Sequence, residues 1–145
     1  MPESISSKAT LTNVLVFDSS IWIDQWRTGR HSERIASIAG VVRLSSVVLA
    51  ELWRGVMKKS ESDLLNTLER NHPILTPTQK NWLDSGQILS KMRVDRGFPS
   101  EKVRDLHFDV LIALTVRSHG ATLITSNRTD FELIRTYREF DLEVW

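Results

Sequence analysis

Short apolar runs alternate with amphipathic stretches along most of this chain. Four of the runs are apolar or β-branched for most of their length and are bounded by polar residues. They are residues 13–17, 41–44, 121–125 and 142–145. Such runs are typical of strands that are buried on both faces of a parallel sheet. A two-residue run after Pro73, at 74–75, indicates one further short strand.

The stretches between these runs carry apolar residues at helical spacing. They predict helices at residues 21–26, 32–39, 47–57, 63–70, 77–92, 100–119 and 130–137. Helix caps are expected at the S-S pair of 45–46, the S-E-S-D box of 60–63, the T-P pair of 76–77, and Asp130. Residues 93–100 are expected to form a loop.

The alternation of strands and helices predicts an α/β protein whose parallel sheet is covered by helices on both faces. In such sheets the functional crevice lies beyond the carboxyl ends of the strands. Asp18 directly follows the first predicted strand, and Asn127 and Asp130 follow the strand at 121–125. These polar side chains are therefore candidates for a functional site.

Length and composition fit one globular domain. The chain has 145 residues, of which 41% are hydrophobic and 26% are charged, so we expect a single folded core. Residues 1–12 are small and polar, and we interpret them as a flexible leader before a domain at 13–145. No apolar run approaches the roughly 20 residues that span a bilayer, and the first residues lack a signal-peptide pattern. A cytoplasmic protein without membrane contact is expected.

Charge and missing residue types narrow the possible chemistry. The chain has no cysteine, which excludes disulfides, thiolate metal sites and cysteine nucleophiles. Its four histidines are scattered without a metal-binding spacing. The formal net charge of +1 is lower than is usual for a protein that binds duplex DNA non-specifically, but it is compatible with a local basic patch beside an acidic pocket.

Four acidic residues stand out by their context. Asp18 and Asp130 follow predicted strands, whereas Glu51 and Asp109 lie in largely apolar helical segments. An ionised carboxylate that is buried without a partner is costly. If the two helices pack against the two strands, all four acids could converge, and protonation or a cation would have to relieve their repulsion. Ligands that are all oxygen atoms select a hard ion such as Mg²⁺ or Mn²⁺.

Each of these acids, taken singly, also has an ordinary structural explanation. Asp18 or Asp130 could serve only as a helix N-cap. The two acids in apolar segments could be buried against an arginine such as Arg54 or Arg104. Other acids lie in polar surroundings, and we interpret them as surface residues. They are Glu33, Glu61, Asp63, Glu69, Asp84, Asp95, Glu101, Glu132, Glu139 and Glu143.

Four segments together resemble PIN-domain ribonucleases, in particular the VapC-type toxins of bacterial and archaeal toxin–antitoxin pairs. The segments are V-F-D-S-S-I-W-I at 16–23, S-S-V-V-L-A-E-L-W-R-G at 45–55, F-D-V-L-I-A-L-T-V-R-S-H-G-A-T-L-I-T at 108–125 and S-N-R-T-D-F at 126–131. No single segment is specific, but four in this order and spacing make a strong signal. The resemblance extends over nearly the whole chain.

The resemblance implies a PIN-like three-layer sandwich, with helices flanking a central parallel β-sheet, and Mg²⁺- or Mn²⁺-dependent endoribonuclease activity. The implied catalytic and metal-binding residues are Asp18, Glu51, Asp109 and Asp130, supported by Asn127, Ser19 and Ser20. Family members more often have Thr directly after the first Asp, so Ser19 departs from the pattern while keeping the hydroxyl. The resemblance leaves open whether one or two ions act.

The implied partners are an RNA substrate and a VapB-like antitoxin, with a homodimer and a toxin–antitoxin hetero-oligomer as the assemblies. Candidates for RNA contacts at the pocket rim are Arg27, Arg30, Arg54, Arg93, Arg96 and Lys102, which ordinary surface charge explains equally well. Trp22, Trp26 and Trp53 flank the pocket helices. They could pack in the core or line an apolar groove that holds an antitoxin helix.

Two other functions stay open. A phosphatase could use Asp18 as a nucleophile at a strand end, although the common haloacid-dehalogenase pattern has Asp where this chain has Ser20. A PIN-like binding module without catalysis is the second alternative, and the presence of all four acids weakens it.

Overall fold

A computed structural model describes residues 13–145, and the leader expected at 1–12 lies outside the described residues. The strands are β1 (Val14–Phe17), β2 (Val41–Ser45), β3 (Ile74–Leu75), β4 (Thr122–Thr125) and β5 (Asp141–Val144). The helices are α1 (Ser19–Thr28), α2 (Ser32–Ala36), α3 (Ser46–Arg54), α4 (Lys59–Asn71), α5 (Gln79–Arg96), α6 (Ser100–Ser118) and α7 (Arg128–Tyr137). Among residues 13–145, every helix falls short, in length or apolar character, of what crossing a bilayer requires.

The five strands form one sheet in the order β3-β2-β1-β4-β5, and every pair of neighbours is parallel. The chain first adds β2 and β3 on one side of β1 and then returns to place β4 on the other side. The direction of winding therefore reverses between β1 and β4. Ligand sites of open parallel sheets lie at this reversal, outside the carboxyl ends of the strands.

Helices cover both faces of the sheet, because successive strand residues point to opposite sides. Val16 and Leu123 are buried in a large core shared with α3, α5, α6 and α7. Their chain neighbours Phe17 and Ile124 are buried in a smaller core with Ile21 of α1. The predicted three-layer sandwich around a parallel sheet is confirmed.

The start of α4 differs from the prediction because Glu61, the second residue of the predicted box, makes the capping bonds in place of Ser60 and Asp63. The helix begins at Lys59 rather than at residue 63. The Glu61 carboxylate accepts hydrogen bonds from the backbone N–H groups of Met57 and Lys58, at 2.9 and 3.0 Å. These bonds satisfy N–H groups that the first helical turn leaves free.

Both ends of α5 also differ from the prediction. Thr78 caps it, because its Oγ1 accepts a hydrogen bond from the Asn81 backbone N–H at 3.0 Å and the Asn81 side chain returns the bond to the Thr78 N–H. The expected T-P cap was therefore wrong. The helix continues to Arg96 and ends at Gly97, whose φ of 65° favours glycine. Most of the loop predicted at 93–100 is helical.

Two further helices end earlier than predicted. The second helix ends at Ala36 because the next residues must turn into β2, where the Val41 N–H donates to the Asn13 carbonyl at 2.8 Å. A Cβ atom at Gly40 would lie 2.6 Å from that same carbonyl oxygen, so the turn requires a glycine. The third helix ends at Arg54 instead of residue 57.

Candidate active site

The carboxyl ends of β1 and β4 bring Asp18 beside Thr125. Phe17 pairs with Ile124 in the sheet, and the Asp18 backbone N–H donates to the Ile124 carbonyl at 2.9 Å. Asp18 is only 4% exposed. The order reversal of the sheet therefore places a buried carboxylate at its carboxyl edge.

Two hydroxyl groups hold the Asp18 carboxylate in place. Thr125 Oγ1 donates to Asp18 Oδ2 at 2.8 Å, and Ser20 Oγ donates to the same oxygen at 3.0 Å. Asp18 stands at the N-cap position of α1, but its side chain makes no capping hydrogen bond. The explanation of Asp18 as only a helix cap was therefore wrong.

Thr125 is a site residue that the sequence analysis missed. Its Oγ1 donates to Asp18 and accepts the Asn127 backbone N–H at 2.9 Å. The hydroxyl of Ser20 accepts the Ser126 backbone N–H at 3.2 Å and thus joins the same network. The signal for Thr125 was its place as the last residue of a strand that neighbours the strand before Asp18.

Asn127 and Asp130 form the second part of the site, at the start of α7. Asn127 Oδ1 accepts the Asp130 backbone N–H at 3.3 Å, and Asn127 Nδ2 donates to Asp130 Oδ2 at 3.1 Å. Asn127 is therefore the N-cap of α7, and the predicted cap at Asp130 was wrong. The other oxygen of Asp130, Oδ1, lies 3.4 Å from Lys102 Nζ.

Glu51 of α3 is half-buried, and one of its carboxylate oxygens has no hydrogen-bond partner. Its Oε1 atom is buried and has no hydrogen bond. Burial raises the pKa of Glu51 to about 7, and the negative charge of Asp18 adds to the rise. The Ser19 hydroxyl and the positive charge of Arg54 oppose that rise of the pKa only in part.

Asp109 of α6 is coupled to the other three acids. Burial is the main cause that raises its pKa to about 8, and the charges of Asp18, Glu51 and Asp130 raise it further. The positive charge of Lys102 opposes this rise of the pKa, but only in part. Because Coulomb interactions weaken with distance, the effect of Asp18, Glu51 and Asp130 on Asp109 indicates that these three acids lie near it.

Arginine pairing does not explain the two acids in apolar helices. Within residues 13–145, neither Glu51 nor Asp109 takes part in an ion pair. The guanidinium of Arg54 lies over the Phe108 ring, at 5.2 Å, and Arg104 lies 3.7 Å from Asp105. The alternative that Arg54 or Arg104 neutralises these acids in an ion pair was therefore wrong.

The donor set fits a hard divalent ion in chemical type and charge. Carboxylate and hydroxyl oxygens are the ligands that Mg²⁺ and Mn²⁺ prefer. The unpaired Glu51 Oε1 and the raised pKa values of Glu51 and Asp109 indicate that these acids are not neutralised by positive charges of the protein. In the part of the chain described here, no three acidic or histidine side chains are placed to hold one ion, so the fit concerns the type of ligand and not the geometry.

The candidate rim residues do not share one location. Arg27 lines a groove that begins at Glu51, and Arg54 follows Glu51 on α3. Arg30 lies beyond the far end of α1, within 3.9 Å of Asp24. Arg30 is not among the residues that line this groove, and its role at the rim stays a prediction.

One predicted surface acid is buried. Asp84 is 8% exposed, and its Oδ2 lies 3.3 Å from Arg138 and 3.4 Å from Lys80. The prediction of Asp84 as a surface residue was wrong because its main partner comes from the end of α7, far along the chain. This ion pair is separate from the acidic pocket.

An apolar groove of about 430 Å³ adjoins the pocket between α1, α3 and α4. Its walls are Ile23, Trp26, Arg27, Glu51, Leu52, Gly55, Val56, Ser60, Glu61, Leu64 and Leu65. Trp26 is 38% exposed and Leu64 is 37% exposed. Trp22 instead packs against Phe17, with ring centroids 5.3 Å apart, and Trp53 donates to Glu69 at 2.7 Å. Of the three tryptophans, only Trp26 therefore lines the groove.

The fold is that of a PIN domain. The model of the PIN domain family matches residues 15–136, and the chain belongs to this family. No curated protein matches the chain.

Several solved structures share the fold. VapBC2 from Rickettsia felis, bound to a DNA fragment from its promoter, has a TM-score of 0.69 at 22% identity, covering 91% of this chain and 98% of that one. DNA-bound VapBC from Salmonella typhimurium has a TM-score of 0.70 at 20% identity, covering 93% and 99%. VapBC-1 from nontypeable Haemophilus influenzae has a TM-score of 0.69 at 21% identity, covering 91% and 98%.

The raised pKa values predict how stability depends on pH in the metal-free protein. Glu51 and Asp109 keep protons in the folded state at pH values where the unfolded chain releases them. The free energy of unfolding should therefore be highest near pH 4 and should fall as the pH rises to about 8. Urea unfolding in EDTA across this range measures the change.

The variant Asp109→Asn should flatten this pH dependence. We expect it to be more stable than the wild type at about pH 8, by on the order of a few kcal/mol, because it removes the costliest ionisation. Glu101→Gln, on the exposed first turn of the same helix, is the matched control and should behave as the wild type. A wild-type stability that increases with pH would contradict a crowded acidic pocket.

Proposed function

We propose that this chain is a Mg²⁺- or Mn²⁺-dependent endoribonuclease and the toxin of a VapBC-type toxin–antitoxin pair. The observation that carries the proposal is the effect of three carboxylates, those of Asp18, Glu51 and Asp130, on the largely buried Asp109, together with the buried Glu51 Oε1 that has no hydrogen bond. Such a group of acids has no structural use that the surrounding contacts explain. Membership of the PIN domain family supports nuclease chemistry for it.

The site residues divide into ligands and supports. Asp18, Glu51 and Asp109 would hold the divalent ion. Ser20 and Thr125 fix the Asp18 carboxylate through their hydroxyls. An ion held here supplies positive charge and Lewis acidity to a phosphodiester.

Asp130 plays a more distant part in the proposed site. Both of its oxygens have protein partners, Asn127 at Oδ2 and Lys102 at Oδ1. Asp130 therefore orients its neighbours in this state and becomes a metal ligand only if Lys102 moves away. Ser19, whose hydroxyl influences Glu51, supports the opposite wall of the pocket.

The proposed reaction is hydrolysis of an RNA phosphodiester. Water attacks the phosphorus, the bond from phosphorus to the leaving sugar oxygen breaks, and that oxygen takes up a proton. A negatively charged pocket would repel a polyanionic substrate on its own. A divalent cation reverses the local field, which reconciles the acidic site with an RNA substrate.

The two alternative functions have less support. The two hydroxyl donors bind only Oδ2 of Asp18, so the case against a phosphatase rests on the residue two positions on. Position 20 is a serine that holds Asp18 rather than a second aspartate. A binding module without catalysis would have no need to keep Glu51 and Asp109 at raised pKa values, since neutral side chains would avoid that cost.

Replacement of Asp18 by Asn should abolish RNA cleavage while leaving the fold intact. We expect the rate of cleavage to fall by more than about a hundredfold, because replacing a residue that only hydrogen-bonds to a metal ligand can already cost up to that factor. Cleavage of a labelled RNA by wild type and variant with Mg²⁺, with Mn²⁺ and with EDTA measures this, and circular dichroism checks folding.

The RNA assay and a phosphatase assay on the same proteins separate the nuclease from the two alternative functions. Cleavage that survives EDTA would contradict the metal requirement. Binding of RNA without cleavage under every metal condition would favour the binding module, and release of phosphate from p-nitrophenyl phosphate, abolished by Asp18→Asn, would favour the phosphatase.

The groove between α1, α3 and α4 is the proposed docking site for a helix of the antitoxin. Its largely apolar lining suits an amphipathic helix, and Glu51 is one of its lining residues, where an arginine of the partner could meet the acids. The VapBC complexes with similar folds support a VapB-like partner. A homodimer, a toxin–antitoxin hetero-oligomer and a cytoplasmic location belong to the same proposal.

A charge in the groove should block antitoxin binding. Leu64→Glu places a carboxylate on an exposed groove residue, and we expect at least about a tenfold loss of affinity for a helical peptide of the antitoxin encoded beside this chain. Quenching of Trp26 fluorescence measures the binding.

Leu83→Glu is the matched control for this experiment. Leu83 is 63% exposed on α5, away from the groove, and the substitution is the same. Equal affinities of the two variants, or a wild type that neither binds the peptide nor changes its fluorescence, would contradict docking in the groove.

A further inference from the structure

Lys102 holds an ammonium group at the edge of the acidic pocket. It lies in the first turns of α6, and its Nζ is 3.4 Å from Asp130 Oδ1. The same Nζ lies 5.9 Å from the centre of the Phe98 ring, which packs against the core. The side chain is nevertheless 41% exposed, so its charge faces the solvent from which a substrate arrives.

We propose that Lys102 is a phosphate-binding residue of the site, which contacts Asp130 in the free protein and an RNA phosphate beside the scissile one in the complex. This inference rests on the proposed function and adds a substrate contact to it. Lysine suits this role because its ammonium has three donors on a flexible stem. It can therefore keep one bond to Asp130 while it donates another to a phosphate.

The position of Lys102 supports contact close to the reacting phosphate. Lys102 and Asp109 are seven residues, or about two turns, apart on one face of α6. The positive charge of Lys102 opposes the rise of the Asp109 pKa, which indicates that the two groups are neighbours. Lys102 thus supplies positive charge at the pocket that does not depend on a bound ion.

A purely structural role explains Lys102 less well. An exposed ion pair contributes little to stability, and Asp130 already has two hydrogen bonds with Asn127. A lysine that served only to hold Asp130 would leave the salt dependence of RNA binding unchanged. A phosphate contact, in contrast, releases counterions from the RNA and changes that dependence.

The test measures RNA binding without cleavage, in proteins whose acidic pocket is intact and with Ca²⁺, another hard ion that binds oxygen ligands, in place of Mg²⁺. A short, mixed-sequence, fluorescein-labelled single-stranded RNA is titrated with protein over a series of salt concentrations. Lys102→Met should weaken binding about tenfold and should lower the slope of log K against log salt by about 0.7, the value for one phosphate contact on a single strand. Lys102→Arg should restore most of both quantities because it keeps the charge.

Lys80→Met is the matched control. Lys80 Nζ also lies 3.4 Å from an aspartate oxygen, that of Asp84. Its neighbour Asn81 contacts Ser118 at the other end of α6, roughly 24 Å from Lys102 along the helix. This variant should bind RNA as its parent does. In the active enzyme, Lys102→Met should raise KM more than it lowers kcat, as loss of uniform substrate binding does.

The outcomes separate this inference from the proposed function. If the wild type cleaves RNA and Lys102→Met matches Lys80→Met in affinity and salt slope, the role of Lys102 is refuted and the nuclease stands. If Lys102→Arg fails to restore binding, the charge is not the cause and the inference is also refuted. If the wild type neither binds nor cleaves RNA, the proposed function fails and this inference fails with it.

Discussion

Repulsion between carboxylates that the backbone forces together is the constraint on which this site depends. The reversal of strand order between β1 and β4 places Asp18 at the carboxyl edge of the sheet, and α3 and α6 add Glu51 and Asp109. Burial and mutual repulsion raise the pKa of Glu51 to about 7 and that of Asp109 to about 8. Near neutral pH the pocket therefore holds protons that a cation can replace.

A network of hydrogen bonds holds the Asp18 and Asp130 side chains in place. Ser20 and Thr125 hold one oxygen of Asp18, and Asn127 joins Thr125 to Asp130 through its backbone and side chain. Glu51 in contrast has a buried oxygen without a hydrogen bond and also lines the apolar groove. A protein helix in the groove and an ion in the pocket would thus contact the same carboxylate. A partner bound in the groove would therefore reach the metal site through Glu51.

The sequence predicted the fold from local patterns, and the same patterns made the four acids candidates for a site. Buried strands are recognisable in the sequence as apolar runs, and Glu51 and Asp109 are charged residues among apolar neighbours. Features that depend on distant contacts were missed: Thr125 matters only because β4 lies beside β1, and Asp84 is buried because Arg138 reaches it from α7. Helix starts at Lys59 and after Thr78 depended on capping bonds between side chain and backbone, which several nearby residues could equally have formed.

Proton release on metal binding tests the central claim most directly. Mn²⁺ is titrated into the metal-free protein near pH 7 in two buffers of different ionisation enthalpy, and the difference in heat gives the protons released. The crowded pocket predicts release of about one proton or more per bound ion, and less release in Asp109→Asn. Binding with equal heats in both buffers, or no binding of Mn²⁺, would contradict the account.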